Sequence, residues 1–169
     1  MQSNEFMNCA AKINASDFDN VEKELGYKLP IEFREHYLAN NGGNPTDTLF
    51  LRDDDEENFE VVGFYPIKYN TLAYETKDSL LVEHYEAMLS RDVIPVNLLP
   101  FAHDPGGNFF CINMENGSVV FYATDAFDPS ASAQENHLAA QIELTNSFDM
   151  FMQHLSHDSS LDSDEWPEE

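Results

Sequence analysis

Several groups of residues in this 169-residue chain have types and spacings that could do chemistry. His103 followed by Asp104 offers a general base beside a carboxylate that could orient it. His154 and His157, three residues apart on a helical pattern, could share a metal ion. Asp104-Pro105-Gly106-Gly107-Asn108 holds glycines of the sort a phosphate cradle uses, and Asp53, Asp54, Asp55, Glu56 and Glu57 are five successive carboxylates. Each meets a physical objection. A turn histidine next to a turn aspartate is ordinary turn chemistry, and the histidine pair has no third or fourth ligand near it in sequence. The glycines lie between strand patterns, whereas a phosphate site needs the converging N–H groups of a helix start. The carboxylate run lacks the alternating ligand positions and the glycine of a calcium loop. Cys111 falls in a strand pattern with no helix start or cation to lower its pKa, and with Cys9 it makes too small a set for a disulfide framework or zinc site. Nucleophile-elbow, phosphate-loop and HExxH motifs are absent. The sequence therefore predicts no catalytic residue, no metal and no cofactor.

Charge is the outlying property. Against 32 Asp and Glu stand 8 Lys and Arg, a net charge of −24 that makes direct binding to nucleic acid or an anionic membrane unfavourable. A basic protein partner, drawn in by long-range attraction, is the complementary expectation, most plainly at Asp53, Asp54, Asp55, Glu56 and Glu57 with Asp125 and Asp128 in a later loop. A hydrophobic fraction of 42% argues for a folded chain, and no stretch reaches the roughly 20 apolar residues of a membrane span. The first residues show no basic region leading into an apolar one, so no secretory signal is expected; with two isolated cysteines this predicts a cytoplasmic protein, monomeric or weakly dimeric. The length suits one domain over residues 1–157, followed by an acidic tail over 158–169 that reads as disordered and contains Trp166.

Taken in order, residues 1–15 predict only a short docked helix or a frayed end. Ser16-Asp17 then reads as an N-cap for a helix with Phe18, Val21 and Leu25 on one face, ended by Gly26 in left-handed conformation. Pro30 suits the first position of a second helix bearing Phe33, Tyr37 and Leu38, which Asn40-Asn41-Gly42-Gly43 stops. Strands are expected over 48–52 and 59–65 around the carboxylate run. Residues 69–77 read either as a strand or as an irregular connection. A helix capped at Asp78-Ser79 runs to about Ser90 with Leu81, Tyr85, Met88 and Leu89 inward. After a meander over 98–122, residues 123–136 read as loop and 138–146 as a strand or helical turn. A last helix begins at Ser147 and carries Phe148, Phe151, Met152 and Leu155.

The meander organises the whole. Residues 98–102 are apolar and end at Asp104-Pro105-Gly106-Gly107, where proline sets φ at a turn's second position and glycine closes it. Residues 109–113 resume as a β-rich run, and Asn116-Gly117 turns the chain into 118–122.

These residues resemble a known pattern, that of the SUKH superfamily, which includes bacterial immunity proteins and Smi/Knr-type yeast cell-wall assembly regulators. The likeness lies in Val21 to Pro30 with Gly26, followed by Phe33, Tyr37-Leu38 and Asn41-Gly42-Gly43; in Ile94-Pro95 through Leu99-Pro100-Phe101-Ala102 with Asp104, Gly107-Asn108 and the strand at 118–122; and in Ser147-Phe148 with Phe151 and Leu155. It covers roughly residues 17–156, departing at Pro105 and in the acidic tail. Gly26, Pro30, Gly42, Gly43, Pro100, Asp104, Gly107 and Asn108 are turn, cap and core residues, so the resemblance carries over a fold and no active site. It implies an α+β domain with a mainly antiparallel or mixed sheet flanked by helices. It also implies an antidote that binds a cognate toxin domain, often a nuclease, and occludes its basic cleft; the alternative it implies is a non-enzymatic regulatory or scaffolding module.

Overall fold

The structure, a computed structural model, describes residues 4–51, 58–69 and 80–157. The carboxylate run at 53–57, most of the segment read at 69–77, the Asp78-Ser79 cap and the tail at 158–169 lie outside the described residues. In chain order the elements are β1 (Phe6–Met7), α1 (Ala15–Leu25), α2 (Ile31–Ala39), β2 (Asn44–Pro45), β3 (Leu49–Leu51), β4 (Asn58–Glu60), β5 (Gly63–Phe64), α3 (Leu81–Ser90), β6 (Leu98–His103), β7 (Phe109–Asn113), β8 (Val119–Tyr122), α4 (Ala133–Ala139), β9 (Gln141–Thr145), α5 (Phe148–His154) and β10 (Leu155–Ser156). They form the α+β fold expected, and every strand pairing among the described residues is antiparallel.

The meander is the centre of a five-stranded sheet ordered β5-β6-β7-β8-β9. Its three middle strands are buried almost without alternation, because both faces are covered. On one face, Phe101 and Phe110 meet Phe148 and Phe151 of α5, and Phe101 also meets Phe33 of α2. A smaller sheet, β10-β3-β4, closes that side: Phe59 lies 4.7 Å from Phe121, and Phe50 stacks on Phe151. On the other face α3 packs, with the Tyr85 hydroxyl donating to the Val96 carbonyl and the Tyr122 hydroxyl to the Val93 carbonyl. Pro100 sits in β6 next to a register shift, where the missing N–H costs the ladder least.

The local expectations hold where side chains act on their own backbone. Gly26 ends α1 at φ 76°, and Ser147 caps α5 by accepting from the Met150 N–H at 3.1 Å. The first cap is corrected. Asn14, not Ser16-Asp17, begins α1, because Asn14 and Asp17 exchange side-chain and backbone bonds at 2.9 and 3.0 Å as a reciprocal box. Pro30 is the N-cap of α2 and not its first residue, while Glu22 of α1 reaches forward to accept the Leu29 N–H at 2.7 Å.

Four readings change with the tertiary structure. Over residues 4–14 the N-terminal segment forms a short strand in place of a docked helix: Phe6 and Met7 pair with Pro45 and Asn44. The strand read at 59–65 is two strands in different sheets, β4 paired with β3 and β5 with β6. The loop read at 123–136 contains a 3-10 turn, Thr124–Ala126, and the start of α4, whose cap Ser132 bonds Glu135. Leu155 belongs to β10, against Phe50 of β3, and not to the last helix.

One core position carries a pH dependence. His36 of α2 is packed among Phe6, Tyr37, Phe64 and Phe148, with ring centroids 4.6 to 5.6 Å away, and its buried Nε2 has no hydrogen-bond partner among the described residues. Burial pushes its pKa down to about 4 from 6.5. The unfolded chain therefore takes up a proton before the folded one does. Stability from the neutral ring is complete above pH 6.5 and is lost as pH falls toward 4, by about 3 kcal/mol. Urea unfolding should show the natural chain losing about 3 kcal/mol more than His36→Leu between pH 7 and pH 4. A difference independent of pH would mean that the ring is solvated.

Candidate functional site

His103 with Asp104 as its orienter is the reading closest to catalysis, and the structure assigns the Asp104 carboxylate to a turn. Oδ1 accepts the Gly106 N–H at 2.9 Å and the Asn108 N–H at 2.7 Å, and Oδ2 accepts from Asn108 Nδ2 at 3.1 Å. The Gly107 N–H closes on the Asp104 carbonyl at 3.3 Å with Gly107 at φ 84°, the left-handed geometry expected of it. Asn108 then passes the constraint on. Its Oδ1 accepts the Thr124 N–H at 2.9 Å and lies 3.2 Å from the Thr124 hydroxyl. The Asp104–Gly107–Asn108 set is thus a lock that pins the start of the 124–132 connection to the meander.

His103 does not have Asp104 as its orienting partner. Its ring lies beside Tyr65 at 5.5 Å, Tyr65 stacks on His84 at 4.4 Å, and His84 meets the edge of Phe109 at 5.0 Å. Burial lowers the His103 pKa, the nearby Asp104 charge offsets part of this, and buried Nδ1 has no hydrogen-bond partner among the described residues. This is an aromatic stack against α3, without the hydrogen-bonded base and orienter that proton transfer requires.

The other chemical candidates resolve similarly. Cys111 is fully buried in β7, and burial pushes its thiol well up, away from the thiolate. His154 Nδ1 lies 2.8 Å from the Met150 carbonyl, and β10 follows at once, so His154 and His157 do not lie on one helix face. Among the described residues no three His, Cys, Asp or Glu side chains are grouped to hold a metal ion. None of the described helices is long and apolar enough to cross a membrane.

Two of the expected contact residues, Asp125 and Asp128, fall on a hydrogen-bonded connection. Asp125 is exposed on the 3-10 turn directly after Thr124, a turn where the sequence suggested loop. Asp128 is exposed as well; bonds from the Ser130 hydroxyl at 2.7 Å and N–H at 2.9 Å lower its pKa. Buried Asn136 of α4 accepts the Asp128 N–H at 2.7 Å and donates to the Asp128 carbonyl at 3.0 Å. Thr124 and Asn136 were missed as positioning residues. The Ser132-x-x-Glu135 pattern could have revealed α4, since it has the residue types of a helix N-terminus and Ser132 does accept the Glu135 N–H, but nothing local marks an asparagine that binds eight residues back.

Charge is unevenly distributed. The described ion pairs gather on α1: Asp17 with Lys68, Asp19 and Glu22 with Arg34, and Glu22 with Lys28. Beyond Arg91 the chain has no lysine or arginine and carries 14 Asp and Glu. The carboxylates of the connection, α4, β9 and α5 therefore have no cation from their own half of the chain.

Comparison with known proteins agrees with this arrangement of cap, turn and core residues. A family model described as SMI1 / KNR4 family (SUKH-1) matches residues 12–154. The chain is also similar, at 22% identity over 121 residues, to the SPbeta prophage-derived uncharacterized protein YokK of Bacillus subtilis (strain 168). That match spans 64% of this chain and 61% of the relative.

Proposed function

The chain belongs to the SMI1/KNR4 family (SUKH-1), and from that membership we propose that it is a cytoplasmic immunity protein that binds a cognate toxin domain and neutralises it without catalysis. The family match carries this reading, and the charge of −24 supports a basic partner. A nuclease toxin must present cations to phosphates, and a carboxylate-rich protein seated on that cleft excludes the substrate by bulk and charge together. Asp125 and Asp128, held by the Asn108–Thr124 and Asn136 bonds, are proposed contacts. Asp53, Asp54, Asp55, Glu56 and Glu57 are proposed from their sequence alone.

The test is affinity capture from the native lysate at low and then high salt, followed by adding the protein back to whatever it captured. One basic, stoichiometric partner whose toxic activity is silenced supports the reading; several weak partners with no activity blocked favour a regulatory module. The association rate with such a toxin should fall steeply with salt, since screening acts within about 10 Å at 0.1 M. Reversing Asp53, Asp54 and Asp55 together to lysine should slow association about tenfold or more by removing part of the steering field. An unchanged rate removes that run from the interface.

A further inference from the structure

Among the described residues, the five-stranded sheet has one covered edge and one open one. At β5, the Phe64 N–H donates to the Gly43 carbonyl at 2.8 Å, so the chain beside β2 covers that edge. At the other end, β9 pairs with β8 alone among the described strands.

The ladder itself says which groups face outward. The Ala123 N–H donates to the Ala140 carbonyl at 2.9 Å, so these facing residues form a hydrogen-bonded pair. Alternation along an antiparallel ladder makes Phe121 and Ile142 the next bonded pair, and leaves Tyr122–Gln141 and Val120–Glu143 as non-bonded pairs. The N–H and C=O groups of Gln141 and Glu143 therefore point away from β8. The register then shifts between Val120–Glu143 and Val119–Thr145, making Leu144 the extra residue of a bulge that ends the regular edge.

The side chains set what this edge accepts. Ile142 stands half-buried on the Phe121 face, while Glu143 is exposed and has no hydrogen bond or ion pair with a described residue. No lysine or arginine follows Arg91 to neutralise it. A second copy of this chain would bring another Glu143 and a further net charge of −24, so the edge resists self-pairing.

We propose that β9 is a docking edge for a basic β-strand of the toxin partner, which adds to the sheet through the outward backbone groups of Gln141 and Glu143. A lysine or arginine of that strand lies opposite Glu143, and an apolar residue extends the Ile142 face. This rests on the proposal that the partner is a basic toxin.

The test uses the full chain and a capped eight-residue peptide alternating lysine and valine, with a glutamate–valine peptide as control. Amide hydrogen exchange read by NMR should show Gln141 and Glu143 exchanging fast in the free protein and at least tenfold more slowly with the lysine peptide only. The Ile142 amide, bonded to Phe121, is the internal reference for an intact ladder. Glu143→Pro removes the outward N–H and should abolish protection; Glu143→Gln keeps the N–H and should weaken binding and flatten its salt dependence. Unchanged Gln141 and Glu143 exchange with the lysine peptide overturns the proposal. Protection that appears with protein concentration alone, reporting a second copy, overturns it too. Unchanged capture of a basic toxin by Glu143→Pro defeats the edge and leaves the immunity reading standing, whereas failure of the natural chain to neutralise any toxin defeats that reading.

Discussion

Replacing Asn41 by alanine is expected to destabilise the protein by about 3 kcal/mol, and replacing it by aspartate by more, because a buried group left without its partner costs about 1–3 kcal/mol. The side chain is 1% exposed and ties three segments together. Its Nδ2 donates to the Ala11 carbonyl at 2.8 Å and to the Lys68 carbonyl at 2.7 Å, and its Oδ1 accepts the Ile67 N–H at 2.7 Å. Alanine orphans all three backbone groups. Aspartate keeps the acceptor but loses both donors and sets a carboxylate against two carbonyl oxygens, which is why it should be the worse of the two despite its matching shape. The following Gly42 shows how tightly the chain passes here: at φ 76°, a Cβ on it would lie 2.7 Å from the Pro66 nitrogen. Urea midpoints of both variants are the measurement. Losses below about 1 kcal/mol for both would show that water replaces these bonds.

Phe33→Ala is expected to cost about 3–5 kcal/mol, the range for an aromatic ring removed from a packed core. Phe33 is fully buried where four elements meet: its ring lies 6.3 Å from Phe18 of α1, 4.9 Å from Tyr37 of its own helix, 5.9 Å from Phe101 of β6 and 5.0 Å from Phe148 of α5. Rings fixed on separate elements cannot collapse together into the space without moving a helix, so a cavity remains. Phe33→Leu, which keeps most of the volume, should cost about 1 kcal/mol. Equal losses for the two substitutions would mean that the site relaxes freely and that Phe33 does not hold the elements together.

The difference between Asn41 and Asp104 explains how much could be read in advance. Both belong to motifs that the sequence marks as turns or stops. The Asp104 bonds all run within four residues, so the turn and its glycine were legible. The Asn40 to Gly43 run stops α2 as expected, with Asn40 as its C-cap, but the Asn41 side chain bonds residues 26 to 30 positions away, which no local pattern reveals. The candidate contacts divide the same way. That Asp125 and Asp128 lie on a surface connection was legible from composition; that Asn108, Thr124 and Asn136 tie that connection down by hydrogen bonds was not.

By itself the sequence determined the elements whose cause is local: the left-handed Gly26, the turn at Asp104 to Gly107, the Asn116-Gly117 hairpin and the Ser147 cap; it also set the net charge of −24. Tertiary structure alone decided the two-residue strands β1, β2 and β10, the division of 59–65 between two sheets, and which backbone groups of β9 face outward. The reason is physical: a cap or turn is satisfied by side chains a few residues away, whereas a strand of two or three residues has no period of its own and exists only through the partner that its hydrogen bonds find across the fold.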